Sequence, residues 1–415
     1  MADPLHDLPM NPTVILLSIG NELLQGSTVN TNASFLSREL FNSGFEVISQ
    51  TVCADSHEAI RFRLGEAVRR ADVVILTGGL GPTPDDVTRE GVAAYFNVPL
   101  VFSEAQYRQM RKVYKRFGKR IPALVRREAF YPENAKPLIN RYGIALGFSV
   151  EFQKKLIIAL PGVPAELQNM YFDVVSPLLK RKFPDRKKNY RLIAKMVGIS
   201  EPEVMKKLGK DFFSVPFDFG IYPMPGEVAI RIAADKARIF KGIEKKIRCR
   251  LKDWIYDWEE IPLCVTIGRL MVRKKQTLAV AESCTGGALA FQITRYPGAS
   301  RFFKGGMVAY HRSVKEKIGV SRKILESFGE VSEKVALALA QQVRLRMEAS
   351  YGIGITGIAG PEGGSPKKPV GLVYIALALP DGKAKAWKHV FWGNREQVQA
   401  KATVKALEYL WRKIR

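Results

Sequence analysis

Apolar positions over the first 180 residues fall into two alternating patterns. Continuous apolar runs are typical of buried strands, and apolar residues at helical spacing are typical of amphipathic helices. Strand signals cover residues 14–19, 45–52, 73–77 and 156–160, and helical segments cover 32–42, 57–70, 88–95 and 164–179. Strands that are apolar throughout and alternate with helices indicate a parallel sheet covered on both faces. The pattern predicts an α/β domain over residues 1–180.

Two further patterns follow along the chain. A basic stretch at 180–188 that contains Pro184 is typical of a linker. After it, strands at 190–197, 219–223 and 227–233 and helices at 201–208 and 239–254 predict a small α+β domain over 181–260. A second α/β pattern occupies 261–415, with helices at 261–272, 332–348 and after Asn394, and strands at 277–281, 306–310, 351–356 and 370–379. The predicted fold class is therefore α/β, with three domains.

Composition indicates a globular protein and bears on whether it binds nucleic acid. The 415 residues are 47% hydrophobic and 25% charged, and the formal net charge is +25. Such a charge attracts polyanions. However, the nine basic residues between 105 and 127 lie mostly between apolar residues at helical spacing, which indicates the solvated face of a helix. We therefore do not expect a nucleic-acid partner.

Residue usage also bears on location and chemistry. No apolar run approaches the roughly 20 residues of a membrane span, and the N-terminus lacks the basic region of a signal peptide. We expect a cytoplasmic protein with no membrane partner. The four cysteines show no CxxC spacing and there are four histidines, so neither a zinc site nor a disulfide framework is indicated. Catalytic bases are expected among Lys, Tyr, Asp and Glu.

The clearest candidate site of the first domain follows the apolar run at 73–77. It consists of the segment TGGLGPTPDDVTR at 77–89, in which three glycines and two aspartates precede a helix. Open α/β sheets bind ligands at the carboxyl ends of their strands. Thr77, Gly78, Gly79 and Gly81 would approach a phosphate closely, and Asp85 and Asp86 would hold a divalent cation such as Mg²⁺. The alternative is a turn with a capping aspartate.

A second loop of the first domain is expected at the same sheet edge. Gly20 and Glu22 follow the first strand. Glu22 would add a carboxylate to the site, and an ordinary loop is an equally good interpretation of these two residues alone.

The most informative segment of the C-terminal third is AESCTGG at 281–287. It lies between an apolar strand and a helical pattern. Free N–H groups at a helix start favour an anion, and Ser283 and Thr285 offer hydroxyl groups beside it. Gly286 and Gly287 would let a ligand approach the main chain. Capping of the next helix is the simpler interpretation of both hydroxyl groups.

Ordered motifs along nearly the whole chain resemble one family. The N-terminal motifs GNELL at 20–24, NTN at 30–32, residues 78–88 and LPGVP at 160–164 are similar to the N-terminal half of the competence/damage-inducible CinA proteins, whose fold is similar to MoaB/MogA domains. The C-terminal motifs are 281–287, PGAS at 297–300, VAY at 308–310 with Lys315, GEVS at 329–332, TGIAGP at 356–361 and KPVG at 368–371. They resemble the CinA C-terminal domain.

The resemblance implies two activities and three domains. It implies a metal-dependent ADP-ribose pyrophosphatase in a three-layer α/β/α domain over 1–180, a KH-like α+β segment over 181–260, and a nicotinamide mononucleotide amidase in an α/β/α domain over 261–415. The middle segment lacks the GxxG loop of nucleic-acid-binding KH domains, so we interpret it as a spacer or dimerisation element. A homodimer is expected.

The amidase needs a nucleophile, a base and donors for the oxyanion. Ser283 and Ser300 are the candidate nucleophiles, and the sequence does not decide between them. With histidine scarce, Lys315 would be the base, assisted by Tyr310. Thr285, Gly286, Gly287, Thr356 and Gly357 would contact the substrate.

Cys284 is a rival nucleophile, although packing is the preferred interpretation. The family often has Ser and Asn after the tyrosine, where this chain has His311 and Arg312. The alternative function is a molybdopterin- or nucleotide-binding protein that acts in competence or the DNA damage response.

Overall fold

The computed structural model describes residues 11–187, 189–213, 218–234 and 238–415. The chain divides into two compact units, Met1–Tyr190 and Arg191–Arg415. The elements of the first unit are β1 (Thr13–Ile19), α1 (Asn21–Leu24), α2 (Thr31–Asn42), β2 (Glu46–Cys53), α3 (His57–Arg70), β3 (Val73–Thr77), α4 (Thr88–Phe96), β4 (Leu100–Phe102), α5 (Glu104–Arg116), β5 (Phe130–Pro132), β6 (Lys136–Leu138), β7 (Gly147–Phe152), β8 (Lys155–Leu160), α6 (Pro164–Met170) and α7 (Ser176–Lys182).

The first unit is a three-layer α/β/α structure, as the sequence predicts. Its main sheet has the order β2-β1-β3-β8-β7-β6, in which β2, β1, β3 and β8 are parallel. Side chains alternate between the two faces of a strand, so Val14 and Leu16 pack into one core cluster and Ile15 and Leu17 into another. Burial on both faces is the reason why β1, β3 and β8 are almost entirely apolar, whereas the edge strand β2 has alternate exposed residues.

The second unit contains two sheets. Its elements are β9 (Tyr190–Val197), α8 (Glu201–Leu208), β10 (Asp218–Met224), β11 (Glu227–Ala234), α9 (Arg238–Leu251), β12 (Ile255–Asp257), α10 (Leu263–Arg273), β13 (Leu278–Glu282), α11 (Ala288–Thr294), β14 (Phe303–Val308), α12 (Arg312–Ile318), α13 (Arg322–Phe328), α14 (Glu333–Arg346), β15 (Tyr351–Gly357), β16 (Leu372–Ala378), β17 (Ala384–Val390) and α15 (Arg395–Ile414). The sheet orders are β10-β11-β9-β12 and β14-β13-β15-β16-β17.

The second of these sheets carries helices on both faces. One core cluster joins its strands to α10 and α15, and another joins them to α14. Strands β13, β14 and β15 are parallel, whereas β16 and β17 are antiparallel. Val197 and Tyr256 from the smaller sheet pack into the same cluster as Trp411, so the two sheets share part of their core. The division into domains at 180 and 260 stays a prediction.

Several elements differ from the sequence-based expectations. The segment 105–127 is not one helix: α5 ends at Arg116, Gly118 has a φ of +64°, and a 3-10 helix follows at Ala123–Ala129. The helix expected at 164–179 contains a π-helical turn at Tyr171–Val175. Strand β17 was not predicted, because this edge strand alternates with exposed lysines. Lys188, in the expected linker, lies outside the described residues.

No helix within the described ranges has the length and apolarity that crossing a membrane requires.

Close packing of α14 on β15 depends on glycine. A Cβ on Gly354 would overlap the carbonyl oxygen of Ala336, and a Cβ on Gly352 would overlap that of Ala340. The helix backbone therefore lies directly on the strand that ends beside Thr356.

We expect Gly354→Ala to lower the free energy of unfolding by roughly 2 kcal/mol or more, because the new methyl group forces α14 away from the sheet. Gly242→Ala is the matched control, since no atom lies within 4 Å of its added Cβ. It removes a helical glycine and is expected to raise the same free energy by about 0.5–1 kcal/mol. Chemical unfolding of both variants tests this, and equal stability of the two would contradict the packing argument.

Candidate functional site

The first unit contains a cleft of about 600 Å³ at the carboxyl ends of β1, β2, β3 and β8. Parallel strands bring the loops that follow them to one edge of a sheet, and that is where open α/β sheets bind ligands. All the predicted N-terminal site residues line this cleft: Gly20, Glu22, Thr77, Gly78, Gly79, Gly81, Asp85 and Asp86. The structure therefore brings the two predicted loops together.

The glycine turn after β3 is tied to the start of α4. Gly78 and Gly79 have φ values of +95° and +64°, a region that favours glycine. The Thr88 hydroxyl donates to the Gly78 carbonyl at 2.8 Å, and the Thr88 N–H donates to the Gly79 carbonyl at 3.0 Å. A Cβ on Gly79 would overlap the Thr88 hydroxyl. The turn is thus held in one conformation.

Two arginines that the sequence analysis did not single out support the rest of this loop. Arg89 is buried and donates to the carbonyl groups of Gly81 and Arg127, each at 2.9 Å. Arg127 donates to the carbonyl groups of Thr83 and Asp86 and pairs with Glu90 at 2.8 Å. The aspartate-bearing loop is therefore bound to two cationic side chains through its main chain, while one carboxylate oxygen of Asp86 accepts from the N–H and hydroxyl groups of Thr83.

Four carboxylates interact electrostatically at this edge. Burial raises the pKa of Asp55, and the negative charges of Glu22, Asp85 and Asp86 raise it further, although the Asn21 N–H opposes them. A hydrogen bond with Thr83 lowers the pKa of Asp85. Asp55 was missed by sequence reasoning; its only signal is its place just after β2.

The donor set at this edge fits a small oxygen-seeking cation. Carboxylate oxygens are the ligands that Mg²⁺ takes, and a cation would relieve the repulsion that Asp55 experiences. Among the described residues, no group of three or more His, Cys, Asp or Glu side chains is arranged to hold a metal ion. Mg²⁺ often uses only one or two carboxylates together with the phosphates of its ligand. Asp85 and Asp86 would supply such a partial set.

Two more carboxyl groups, Glu128 and Glu166, line the cleft and were also missed. Burial raises the pKa of Glu128 to about 7, with Glu166 and Asp86 adding to the shift and Arg89 opposing it. Burial likewise raises the pKa of Glu166, against a hydrogen bond from Asn140 at 2.5 Å. Glu128 lies in the 3-10 helix Ala123–Ala129 and Glu166 in the first turn of α6, and neither local pattern gives a sequence signal of burial.

The C-terminal candidate site lies at the corresponding edge of the larger sheet in the second unit. Ser283 follows β13, Tyr310 follows β14, and Thr356 and Gly357 end β15. The Ser283 N–H donates to the Ile355 carbonyl at 3.0 Å. These predicted residues are therefore brought to one edge.

Lys315 is the central side chain of this edge. It is 1% exposed, and its Nζ donates to the Tyr310 carbonyl and to the Glu330 carboxylate, each at 2.9 Å. The Thr356 hydroxyl donates to the Glu330 carbonyl at 2.8 Å. Glu330 belongs to the GEVS motif, but the sequence analysis gave it no role. The structure makes it the ionic partner of the lysine.

The expected anion site at the start of α11 requires a correction. The buried carboxylate of Glu282 accepts from the N–H groups of Gly287, Leu289 and Ala290 at 3.2, 3.0 and 2.8 Å. The Gly286 N–H donates to the Ser283 carbonyl. A buried carboxylate needs donors, and the positive end of a helix supplies them. Gly286 and Gly287 therefore direct their N–H groups to the protein and not to a substrate.

Thr285 remains a candidate for substrate contact. Thr285 is 3% exposed, and its hydroxyl oxygen has no hydrogen-bond partner within the part of the chain that the structure describes. A buried hydroxyl without a partner is costly unless a ligand supplies one.

Cys284 is disfavoured as a nucleophile. Burial raises the pKa of Cys284 to about 12, which disfavours the thiolate and agrees with a packing role.

Ser300 is not brought together with the other predicted catalytic residues in the same chain. It lies in the 3-10 helix Ala299–Arg301, just before the start of β14. Tyr310 lies beyond the other end of this strand. Six residues of extended strand span roughly 20 Å, so Ser300 lies at the opposite edge of the sheet from Ser283. The chain order puts Ser283 after one predicted strand and Ser300 before the next, but the motifs alone do not show that these two strands run parallel.

Tyr310, His311 and Arg312 make contacts of their own near this edge. The Tyr310 hydroxyl is bonded to Arg395 at 2.6 Å, and Arg395 also donates to the Gly360 carbonyl at 2.8 Å. His311 accepts from the Ser313 N–H as the cap of α12, and Arg312 pairs with Glu316. The departure from the family at 311 and 312 therefore leaves the contacts of Lys315 in place. Arg395 was missed, because one arginine at a helix start carries no distinctive pattern.

The raised pKa of Glu128 predicts a pH dependence of stability. The folded state retains a proton that the unfolded chain loses above its ordinary pKa of 4.5, so stability falls as pH rises from about 4.5 to 7. Glu128→Gln removes this dependence. We expect the variant to gain up to about 3 kcal/mol on the wild type between pH 4.5 and pH 8. Unfolding at several pH values, with exposed Glu133→Gln as control, measures this; parallel curves for all three proteins would contradict it.

Comparison with known proteins places these sites in a family. Residues 15–181 match a family described as a probable molybdopterin binding domain, and residues 261–414 match the CinA C-terminal domain. A competence-damage inducible protein from Halothermothrix orenii is 38% identical over 408 residues, which are 96% of this chain and 97% of the relative. One from Moorella thermoacetica is 38% identical over 403 residues, 95% and 97% of the two chains.

The chain is also similar to the solved structure of the protein CinA, of unknown function, from Thermoplasma acidophilum. It is 31% identical, covers 40% of this chain and 98% of its own, and has a TM-score of 0.37. Full-length similarity to the curated relatives, together with both domain matches, shows that this chain belongs to the CinA family of competence/damage-inducible proteins, with a MoaB/MogA-like N-terminal domain.

Proposed function

We propose that the C-terminal site hydrolyses nicotinamide mononucleotide to nicotinic acid mononucleotide and ammonia. The observation that carries this proposal is the buried Lys315, held by Glu330 and the Tyr310 carbonyl at the sheet edge where Ser283 also lies. A buried lysine and a serine at the same sheet edge are the two groups that a serine-lysine amidohydrolase uses. The family resemblance supplies the substrate.

The proposed reaction follows the chemistry of these groups. Lys315 first passes one proton to the Glu330 carboxylate that it contacts. Its neutral amine then accepts the Ser283 hydroxyl proton while Oγ attacks the carboxamide carbon. The same proton passes to the amide nitrogen, which leaves as ammonia and an ester on Ser283 remains. Water then attacks the ester, Lys315 accepts the proton of that water and returns it to the departing Ser283 oxygen, and the carboxylic acid product leaves. Each step breaks one bond to the carbonyl carbon and forms one.

Neighbouring groups are given supporting roles in this proposal. The unpartnered Thr285 hydroxyl donates to the oxyanion or the carboxamide. Thr356 is a positioning residue, because its hydroxyl is used to hold the Glu330 main chain. Tyr310 and Arg395 form the polar outer rim, where the Arg395 guanidinium suits the 5′-phosphate of the substrate.

We further propose a metal-dependent ADP-ribose pyrophosphatase in the first unit. The 600 Å³ cleft, the glycine turn and the carboxylates of Asp85 and Asp86 support it. The main chain at Gly78, Gly79 and Gly81 would approach the pyrophosphate, and Asp85 and Asp86 would hold the cation, with Gly20 and Glu22 beside them. A bound divalent cation supplies charge neutralisation of the phosphates.

Within this proposal the protein is a cytoplasmic homodimer in pyridine-nucleotide salvage. The second candidate function is binding of a molybdopterin or nucleotide in competence or the DNA damage response. The description of the matched N-terminal family and the names of the relatives favour it. Catalysis distinguishes the two, since a binding protein would leave both nucleotides intact.

For the amidase, we expect Ser283→Ala to reduce ammonia release from nicotinamide mononucleotide by roughly a thousandfold or more, because the attacking oxygen is lost. Lys315→Ala should cause a similar loss. Ser300→Ala is the matched serine control and should retain activity, since its hydroxyl lies at the other sheet edge. Activity equal to wild type in Ser283→Ala or Lys315→Ala would refute the mechanism. Loss in Ser300→Ala alone would mean that a second copy of the chain supplies this serine.

For the pyrophosphatase, we expect Mg²⁺-dependent release of AMP from ADP-ribose, abolished by a chelator and reduced by roughly a hundredfold or more in the Asp85→Ala, Asp86→Ala double variant. Asp185→Ala, an exposed aspartate of the same unit, is the control. Chromatographic separation of AMP and ribose 5-phosphate measures the reaction. Full activity in the double variant would remove these aspartates from the metal site.

A further inference from the structure

One wall of the N-terminal cleft differs in chemistry from the glycine turn. Tyr114, Val125 and Ile144 line the cleft and belong to a single apolar cluster. We call these three residues the apolar wall. Glu128 adjoins it, because its carbonyl accepts from the Leu146 N–H at 3.0 Å, two residues beyond Ile144. An aromatic and aliphatic surface beside a carboxyl group suits a flat heteroaromatic ring with an N–H donor.

Glu128 carries an unused hydrogen-bonding atom. The residue is 2% exposed, it lines the cleft, and its Oε1 has no hydrogen-bond partner in any of the described ranges. The nearby Arg89 guanidinium donates to two carbonyl groups, those of Gly81 and Arg127. Leaving a buried carboxyl oxygen without a donor is costly, and an apolar residue of the same size would avoid the cost. The unsatisfied Oε1 atom therefore indicates a ligand that supplies the hydrogen-bond donor.

We propose that Glu128 accepts a hydrogen bond from the exocyclic amino group of a purine that lies against the apolar wall, so that the N-terminal site selects adenine nucleotides. The inference rests on the proposed nucleotide pyrophosphatase and names the group that reads its base. With phosphates at the glycine turn, the cleft volume of about 600 Å³ accommodates a nucleotide. Glu128 is then a specificity-determining residue and takes no part in bond cleavage.

The test compares two ligands that differ only in the amino group: AMP and purine riboside 5′-monophosphate. Isothermal titration of the full-length wild type at pH 8, where the Glu128 carboxyl is ionised, should show roughly tenfold or tighter binding of AMP, since one charge-assisted hydrogen bond is worth about that factor. Glu128→Met fills the same volume without an acceptor and should reduce this preference to less than about threefold. Glu128→Gln retains an acceptor oxygen without the charge and should show a preference between those of the wild type and Glu128→Met.

Controls separate recognition from folding and from catalysis. Glu133→Gln, an exposed glutamate of the same segment, should keep the wild-type preference. Glu128→Met should unfold at no lower temperature than wild type, because a desolvated carboxyl is removed. If that variant fails to fold, the wild-type comparison of the two ligands still decides.

Three outcomes overturn the proposal: a wild type that binds both ligands equally, a folded Glu128→Met that keeps the preference, or a wild type that binds neither ligand. Its failure is distinct from that of the proposed function. Cleavage of ADP-ribose without preference for AMP refutes recognition by Glu128 and leaves the pyrophosphatase. Preference for AMP without cleavage refutes the pyrophosphatase and supports the recognition.

Discussion

The C-terminal site depends on satisfying one buried ammonium group. Removing Lys315 from water is unfavourable unless its charge and its N–H donors are paired. Its partners are the Tyr310 carbonyl just beyond β14 and the Glu330 carboxylate just before α14. Because Thr356 binds the Glu330 main chain, the same network includes the end of β15. The direct packing of α14 on Gly354 then determines how close Glu330 comes to the sheet. A loop shift at any of these points would leave the lysine unpaired.

In both units the candidate site lies at the carboxyl ends of the parallel strands, but the charged side chains at the two sites differ. In each, the loops after parallel strands converge, as α/β topology requires. The first cleft gathers carboxylates, namely Glu22, Asp55, Asp85 and Asp86, with Glu128 and Glu166 along its walls. Such a site accepts a phosphorylated ligand best with a cation between them. The second site contains the cationic side chains of Lys315, paired with Glu330, and of Arg395. One chain with a net charge of +25 thus contains a local acidic cleft.

Local rules predicted most of the regular elements and explain where they failed. The helix at Glu201–Leu208 and the start of α15 after Asn394 follow from capping boxes that the sequence displays. The prediction of one helix over 105–127 was wrong. Gly118 and Pro122 interrupt the helix, although basic and apolar residues alternate at helical spacing on both sides of them. The helix start after Gly287 was assigned to an anion, since no local rule shows that Glu282 turns back to cap it.

By itself the sequence determined the α/β class, the family, and the loops that carry chemistry, because apolar periodicity and motif order are local properties of the chain. All eight predicted N-terminal residues line one cleft for this reason: each ends or follows a parallel strand. Only the tertiary structure decided which side chains are buried and unpaired. It separated Ser300 from Ser283, gave Lys315 its partner Glu330, and placed Asp55, Glu128 and Glu166 in the cleft. These outcomes depend on strand direction, desolvation and contacts between residues distant in sequence, which no local pattern encodes.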